Sequence, residues 1–248
     1  MEPNQDVTIV PINFDENAMQ LATLKSKRYD VTPAPENFIR NKLFVDEAKK
    51  YPRVLECGCS NGFLSRLITA GGSRVVGLEI DPEAAEEARR SCARVLSVDL
   101  NDSSWTKSVG EQFDLITFGD VLEHLVDPQA VLRQAQQLLA PGGRVLICLP
   151  NIAYWTMRIK LLLGRWEYQS MGLLDYTHLR FFTYDTARKM IQAAGYNLLH
   201  FDPILGDRFT KHFRPIWQRM GNAFPNLLAF QMLFLVEPTS ETHESRHA

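Results

Sequence analysis

The sequence predicts an α/β protein built on a doubly wound, mostly parallel sheet of seven strands, and three observations predict it. From Pro52 onward, short apolar or β-branched runs alternate with stretches of helical periodicity. A glycine-rich turn, "CGCSNG" (Cys57 to Gly62), joins the first run to the first helical stretch. Acids stand at three successive strand ends, as Glu79, Asp99 and Asp120.

"RVLEC" (Arg53 to Cys57) reads as the first strand. "NGFLSRLITAGG" reads as the helix after it, closed by Gly71 and Gly72, since glycine readily takes the left-handed turn that ends helices. "RVVGLEI" (Arg74 to Ile80) is the second strand. Asp81 is placed to cap the next helix and Pro82 suits its first position. "EAAEEARRSCA" continues that helix, with Glu86 four residues before Arg90 as an expected ion pair. "RVLSVDL" is a third strand ending near Asp99, and "FDLITFGD" (Phe113 to Asp120) a fourth. "DPQAVLRQAQQLLAPGG" (Asp127 to Gly143) reads as one amphipathic helix with an acidic start and a glycine stop. The fifth strand is "RVLICLP" (Arg144 to Pro150). A helix over "YDTARKMIQAAG", a strand near "YNLLHFDPI" and a last strand within "LLAFQMLFLVEP" complete the pattern.

Residues 1–50 form an expected N-terminal flank, helical over Pro35 to Lys50, and residues 51–238 one domain. Within it, residues 151–183 are dense in aromatic and apolar side chains and follow the fifth strand's carboxyl end, where open α/β sheets bind ligands. A substrate lid is expected there. Residues 239–248 are polar and read as a frayed tail.

The chain has 248 residues, 45% hydrophobic and 23% charged, enough for a substantial core. A net charge of -2 supplies no overall field for a polyanion, so nucleic acid is not an expected partner. No apolar run reaches the roughly 20 residues of a membrane-spanning helix, and the first residues lack the order of a secretory leader. A cytoplasmic protein is expected. Cys57 and Cys59 are spaced wrongly for a C-x-x-C hook; with Cys92 and Cys148 they read as reduced packing residues.

A strand ending in an acid, a glycine turn and a helix start together present backbone N–H groups and a positive helix end to a ligand. A dinucleotide fold writes G-x-G-x-x-G here, whereas Gly58, Ser60 and Gly62 stand two apart after Glu56. That spacing disfavours a nicotinamide dehydrogenase. Glu79 follows at about 20 residues, where a carboxylate accepts hydrogen bonds from two ribose hydroxyls. Asp99 stands next to where an adenine amine would lie.

In this order the motifs "LECGCSNG", "VVGLEID", "SVDL", "FDLITFGDVLEHLVDP" and "LAPGGRVLICLPN" resemble those of class I S-adenosylmethionine-dependent methyltransferases, whose sheet is Rossmann-like. The resemblance runs from about Val54 to Pro150 and departs at Ser60, where many members have glycine. It implies S-adenosylmethionine as cofactor. Glu56, Gly58, Cys59, Ser60 and Gly62 would form the loop around its methionyl part. Glu79, with Ile80 beside it, would hold the ribose, Asp99 and Leu100 the adenine, and Gly119 the backbone near the methionine chain.

The cofactor's methyl carbon is already a strong electrophile, so the chain must hold a nucleophile close and, for a hydroxyl acceptor, remove its proton. Histidine titrates in the useful range. His124, in "DVLEHL", and His178, in "DYTHLRFFT", are the candidates; each could instead be a hydrogen-bonded structural residue. The "TH…F" element resembles one in ubiquinone-pathway O-methyltransferases and in methyltransferases of sugar and cell-surface polysaccharide assembly. Asp120, Glu123 and His124 at i, i+3 and i+4 would share a helix face and could hold a divalent cation, as fits a similar run in the ubiquinone-pathway relatives. Otherwise Glu123 orients local backbone, and no metal is expected.

Tyr154, Trp155, Trp166, Tyr168, Tyr176, Phe181 and Phe182 would wall an acceptor pocket or pack as core. "MRIKLLLGR" (Met157 to Arg165) would lie on a membrane surface or a lipid-linked substrate, or simply cap the cleft. The expected function is methyl transfer to a small molecule, foremost to a hydroxyl oxygen of a metabolite, quinone precursor or sugar; a homodimer is compatible with it. The alternatives are a non-catalytic cofactor-binding regulator and an RNA methyltransferase using the basic-aromatic stretch Arg208 to Met220.

Overall fold

The computed structural model describes residues 35–206 and 214–239. The expected tail beyond Thr239, the flank before Pro35, and the first part of the basic-aromatic stretch, residues 208–213, lie outside the described residues.

The helices are α1 (Pro35–Ala48), α2 (Phe63–Ala70), α3 (Pro82–Ala88), α4 (Pro128–Ala135), α5 (Trp155–Leu162), α6 (Tyr184–Ala193), α7 (Arg214–Ala223) and α8 (Pro225–Leu228). The strands are β1 (Arg53–Cys57), β2 (Arg74–Glu79), β3 (Arg94–Ser97), β4 (Phe113–Gly119), β5 (Leu139–Pro150), β6 (Tyr196–Leu205) and β7 (Ala229–Pro238). They form a seven-stranded sheet in the order β3-β2-β1-β4-β5-β7-β6. The first five are mutually parallel, and β7 runs antiparallel to both β5 and β6.

Side chains of a strand alternate between its two faces, and the core follows that rule. In β5, Val145, Ile147 and Leu149 join one apolar layer while Leu146 and Cys148 join the other. Helices α4 and α6 cover the first layer through Val131, Leu132, Ala187 and Ile191. Helices α1 and α2 cover the second through Phe44, Ala48 and Ile68. Burial on both faces explains why these strands are nearly continuous apolar runs. The thiols of Cys57 and Cys148 pack inside, and burial pushes Cys57 well above the usual thiol range.

Three boundaries differ from expectation. The helix after Asp127 ends at Ala135, and Gln136–Leu138 is a single 3-10 turn. "LAPGG" instead opens β5, which pairs Leu139 with Phe113 before its register shifts. A methyl on Gly143 would lie 2.9 Å from the Phe113 carbonyl, so the glycine serves this close strand approach rather than a helix stop. Strand β3 stops at Ser97, leaving Asp99 two residues beyond it. Glu86 pairs with Arg89 at 2.8 Å, one residue earlier than expected, on a helix that ends at Ala88.

After β5 the chain turns sharply at Asn151, which is fully buried. Its amide Nδ2 donates to the Ala229 carbonyl at 2.7 Å and lies 3.2 Å from those of Pro225 and Asn226. Its Oδ1 accepts the Ala153 N–H at 3.0 Å. This one side chain ties the segment after β5 to the start of β7. Asn151→Ala leaves buried carbonyls without their donor, and we expect it to lower unfolding free energy by about 2 kcal/mol in urea titrations.

Candidate active site and cofactor cradle

Parallel register brings the carboxyl ends of β1, β2 and β4 to one edge of the sheet. Leaving β1, the chain crosses the end of β2, where the N–H groups of Gly58 and Cys59 both donate to the Leu78 carbonyl at 2.8 and 3.0 Å. Gly58, Ser60 and Gly62 all have left-handed backbone, with φ of 71°, 48° and 80°. A methyl on Gly58 would meet Val121 Cγ2 at 2.6 Å, and one on Gly62 would meet Ala88 Cα at 2.9 Å. Glycine is therefore required at both ends for shape as well as conformation. Ser60 keeps the glycine-like backbone of the position it fills.

Glu79 organises this edge. Its Oε2 accepts the Ser60 N–H at 2.8 Å, and its Oε1 accepts those of Ile80 and Asp81 at 2.9 and 3.0 Å. Asp81 then caps α3, accepting from Glu83 and Ala84, as its position in the sequence indicates. Glu56 is buried in β1 and accepts the hydroxyl of Ser65, so it also anchors the start of α2. Asp99 Oδ1 accepts the Asn101 backbone N–H at 2.8 Å, an Asx turn. Asn101 Oδ1 in turn accepts the Val126 N–H at 3.0 Å. Leu100, beside it, is buried.

At the end of β4, Gly119 pairs with Cys148 and Asp120 turns left-handed at φ 57°. The expected helix face is corrected here. Only Leu122–His124 forms a 3-10 turn, and Asp120 lies outside it, accepting Gln231 Nε2 from β7 at 2.9 Å. His178 comes in where Asp120 was expected. Donor atoms of Glu123, His124 and His178 lie within 4.8 Å of one another. One carboxylate and two imidazoles are a donor set that could hold a divalent cation.

The segment carrying His178 is strapped onto this turn by backbone. The N–H groups of Leu179 and Arg180 both donate to the Glu123 carbonyl at 2.9 Å, and Arg180 donates to the Val126 carbonyl at 2.7 Å. Glu123 is buried, with His124 Nε2 at 3.8 Å and His178 Nε2 at 3.9 Å from its Oε1. The two imidazoles meet edge to face, centroids 4.7 Å apart. Asp175 Oδ1 accepts both the N–H and the hydroxyl of Thr177, at 2.8 and 2.7 Å. His124 Nδ1 stands 3.0 Å from the Thr177 carbonyl and 3.1 Å from its hydroxyl oxygen. A carbonyl can only accept, so the proton of neutral His124 sits on Nδ1 and the lone pair on Nε2.

The structure therefore brings together the loop residues, Glu79, Ile80, Gly119, His124 and His178 on neighbouring segments of one edge. Asp175, Thr177, Gln231 and Ser65 were missed. The D-x-T spacing is a legible Asx signal for the first two, whereas Gln231 reaches Asp120 only because β7 enters the sheet beside β5. Of the aromatic run, Tyr154 and Phe182 are core, while Trp166, Tyr168, Tyr176 and Phe181 are partly exposed.

A family model for the methyltransferase domain matches residues 32–201, and the chain belongs to that family. Its sheet has the fold of the S-adenosylmethionine-dependent methyltransferases. Among curated relatives, the ubiquinone biosynthesis O-methyltransferase of Xanthomonas euvesicatoria pv. vesicatoria is 35% identical over 103 residues. That alignment covers 40% of this chain and 43% of the relative, so the chain spans under half the length of the curated relatives it matches. Among solved structures, the N-methyltransferase NodS of Bradyrhizobium japonicum, in complex with S-adenosylhomocysteine, superposes with a TM-score of 0.62 at 16% identity. It covers 90% of this chain and 98% of that one. The 1,6-didemethyltoxoflavin-N1-methyltransferase of Burkholderia thailandensis gives 0.60 at 16% identity over 95% and 94% of the two chains. These likenesses carry the fold.

The hydrogen bonds around His124 make a spectroscopic prediction. Nitrogen-15 spectra of the neutral imidazole should show the Nδ1–H tautomer. Thr177→Val, which keeps the carbonyl but removes the hydroxyl, should leave that tautomer in place and cost about 1 kcal/mol of stability.

Proposed function

We propose that the chain transfers the methyl group of S-adenosylmethionine to a hydroxyl oxygen of a small-molecule acceptor, such as a quinone precursor, a sugar or another metabolite. The observation that carries this reading is His124, whose Nδ1–H is engaged by Thr177 so that a basic Nε2 is held in a fixed place past the end of β4. The ubiquinone-pathway relatives, matched over part of the chain, support an oxygen acceptor.

The left-handed glycine loop, closed to any side chain at Gly58 and Gly62, fits a ligand that needs backbone contact. When bound, S-adenosylmethionine supplies an electrophilic methyl group. In this reading Glu79 accepts the ribose hydroxyls from oxygens already oriented by Ser60, Ile80 and Asp81. Glu56, Gly58, Cys59, Ser60 and Gly62 shape the loop, Asp99 and Leu100 border the adenine, and Gly119 leaves room for the methionine chain. His124 Nε2 takes the acceptor's hydroxyl proton, with Glu123 stabilising the imidazolium and His178 packed against it. Trp166, Tyr176 and Phe181 offer apolar surface to the acceptor.

Two substitutions separate binding from chemistry. Glu79→Gln should weaken S-adenosylhomocysteine binding tenfold or more by calorimetry, the loss of one charged hydrogen-bond acceptor. His124→Ala should leave that affinity within about threefold and lower turnover by roughly two to four orders of magnitude. The acceptor itself would gain about 14 daltons, one methylene equivalent. Unchanged turnover in the His124 variant would remove the base from the mechanism.

Helix α5 and the turn after it support contact with a membrane surface. Ile159, Leu161, Leu162 and Leu163 are exposed, Leu162 at 86%, beside the cations Arg158, Lys160 and Arg165. No helix of the described residues is long and apolar enough to cross a membrane, whereas a short apolar face framed by cations suits the surface of an anionic bilayer. The chain should co-sediment with phosphatidylglycerol vesicles and not with phosphatidylcholine ones. Added salt and Leu162→Glu should each reduce that binding; absence of co-sedimentation would end this part of the reading.

A further inference from the structure

Behind the glycine loop, two thiols share a space that exists because residue 77 is glycine. A methyl on Gly77 would lie 2.5 Å from Cys59 Sγ and 3.2 Å from Cys92 Sγ. The two sulfurs thus meet over the backbone of β2, with Cys59 Sγ also 3.7 Å from the Ser60 carbonyl oxygen. Ala85, Ala88 and Val95 complete the enclosure. Cys59 is buried in the loop, and Cys92, on the turn after α3, is half-buried. Both backbones are held: Cys59 by the Leu78 carbonyl at 3.0 Å, Cys92 by the Ala88 carbonyl at 3.0 Å.

We propose that Cys59 and Cys92 form a reversible thiol–disulfide pair, closed by exchange with a small disulfide such as oxidised glutathione, and that closing it displaces the cofactor loop. The half-exposed member reacts first. The Cys92 thiolate attacks one glutathione sulfur, making a mixed disulfide and releasing one glutathione thiolate, which takes up the proton that Cys92 gave to solvent. Cys59 then loses its proton and attacks the Cys92 sulfur, releasing the second glutathione. Two protein thiols are oxidised and one glutathione disulfide is reduced to two thiols.

The electrostatics suit that order. The hydrogen bond from Cys59 holds the Cys92 thiol down at about 7, against burial that acts the other way. Cys59 is pushed up, first by that same hydrogen bond and then by burial. Cys92 is therefore a nucleophile near neutral pH and Cys59 a reserve thiol. Cys57 and Cys148 are enclosed in the core and out of reach of a soluble oxidant.

A disulfide brings its sulfurs to about 2.0 Å, well inside van der Waals contact, so closure draws Cys59 toward the turn after α3. Its neighbour Ser60 is the residue whose N–H holds Glu79. Displacement of roughly 1 Å in a pre-positioned site is enough for a tenfold loss. The loss of affinity rests on the cofactor reading of the loop, whereas the bond itself does not.

The full chain is equilibrated in graded mixtures of reduced and oxidised glutathione, alkylated and mapped by peptide mass. Each form is then titrated with S-adenosylhomocysteine. We expect a Cys59–Cys92 disulfide, a fall of about tenfold in affinity, and recovery with dithiothreitol. Cys92→Ser should match the reduced protein before and after oxidation; Cys92→Ala serves if the serine variant folds poorly, and the peptide map of the unaltered chain needs neither. Alkylation of Cys92 should accelerate as pH rises through about 7. Glutathione capping of Cys92 with no internal bond, or an internal bond with unchanged affinity, overturns the proposal. A reduced protein that takes up no S-adenosylhomocysteine overturns the cofactor reading instead, and the map still decides whether the pair closes.

Discussion

One carboxylate fixes the geometry of the sheet edge that carries the glycine loop. Glu79 ends β2 and gathers N–H groups from Ser60 in the glycine loop and from Ile80 and Asp81 at the entry to α3. An ionised carboxylate only accepts, and its two oxygens together offer about four sites, so three backbone donors orient it and leave acceptor capacity over. The loop cannot take this path unless its backbone turns left-handed at Gly58, Ser60 and Gly62. Glu79 cannot reach it unless β2 pairs with β1 in the register that sets Leu78 opposite Cys57. Strand pairing and loop conformation thus converge on one side chain.

The second half of the site is assembled by backbone as well. The Glu123 carbonyl takes two N–H groups from the Leu179–Arg180 segment, and the Thr177 carbonyl takes the Nδ1 proton of His124. Residues some fifty positions apart in the chain become one constellation without depending on long flexible side chains, which would lose rotamer entropy on ordering. Asp175 sets the Thr177 turn from below. The charged and basic atoms can then differ in role while the frame that holds them stays the same.

Much of this was legible in the residues. Strands β1, β2 and β4 and the cap at Asp81 follow from local signals, because parallel strands buried on both faces read as apolar runs and Asp-Pro opens a helix. The boundaries after Asp127 were not, since "APGG" carries a helix-stop signal and only the close approach to Phe113 shows that it belongs to β5. The i, i+3, i+4 spacing of Asp120, Glu123 and His124 suggested a shared helical face. The left-handed backbone at Asp120 breaks that face, and no local pattern announces it. His178 was visible as a histidine in an aromatic setting, but its pairing with Glu123 depends on a strap whose bonds are made by main chain, which sequence does not mark.

The insertion of β7 between β5 and β6 carries a consequence for biosynthesis. Strand β6 emerges from the ribosome before β7 yet does not pair with β5, because β7 lies between them in the sheet. Until β7 arrives, nascent β5 has an unpaired side along Val145 to Pro150, an apolar edge of the kind that invites aggregation. The buried amide of Asn151 waits for the same event, since its carbonyl partners lie at residues 225–229. Translation through β7 therefore works as the latch of the sheet, and a chaperone that shields β5 during that interval would act at the most vulnerable moment of the chain's maturation.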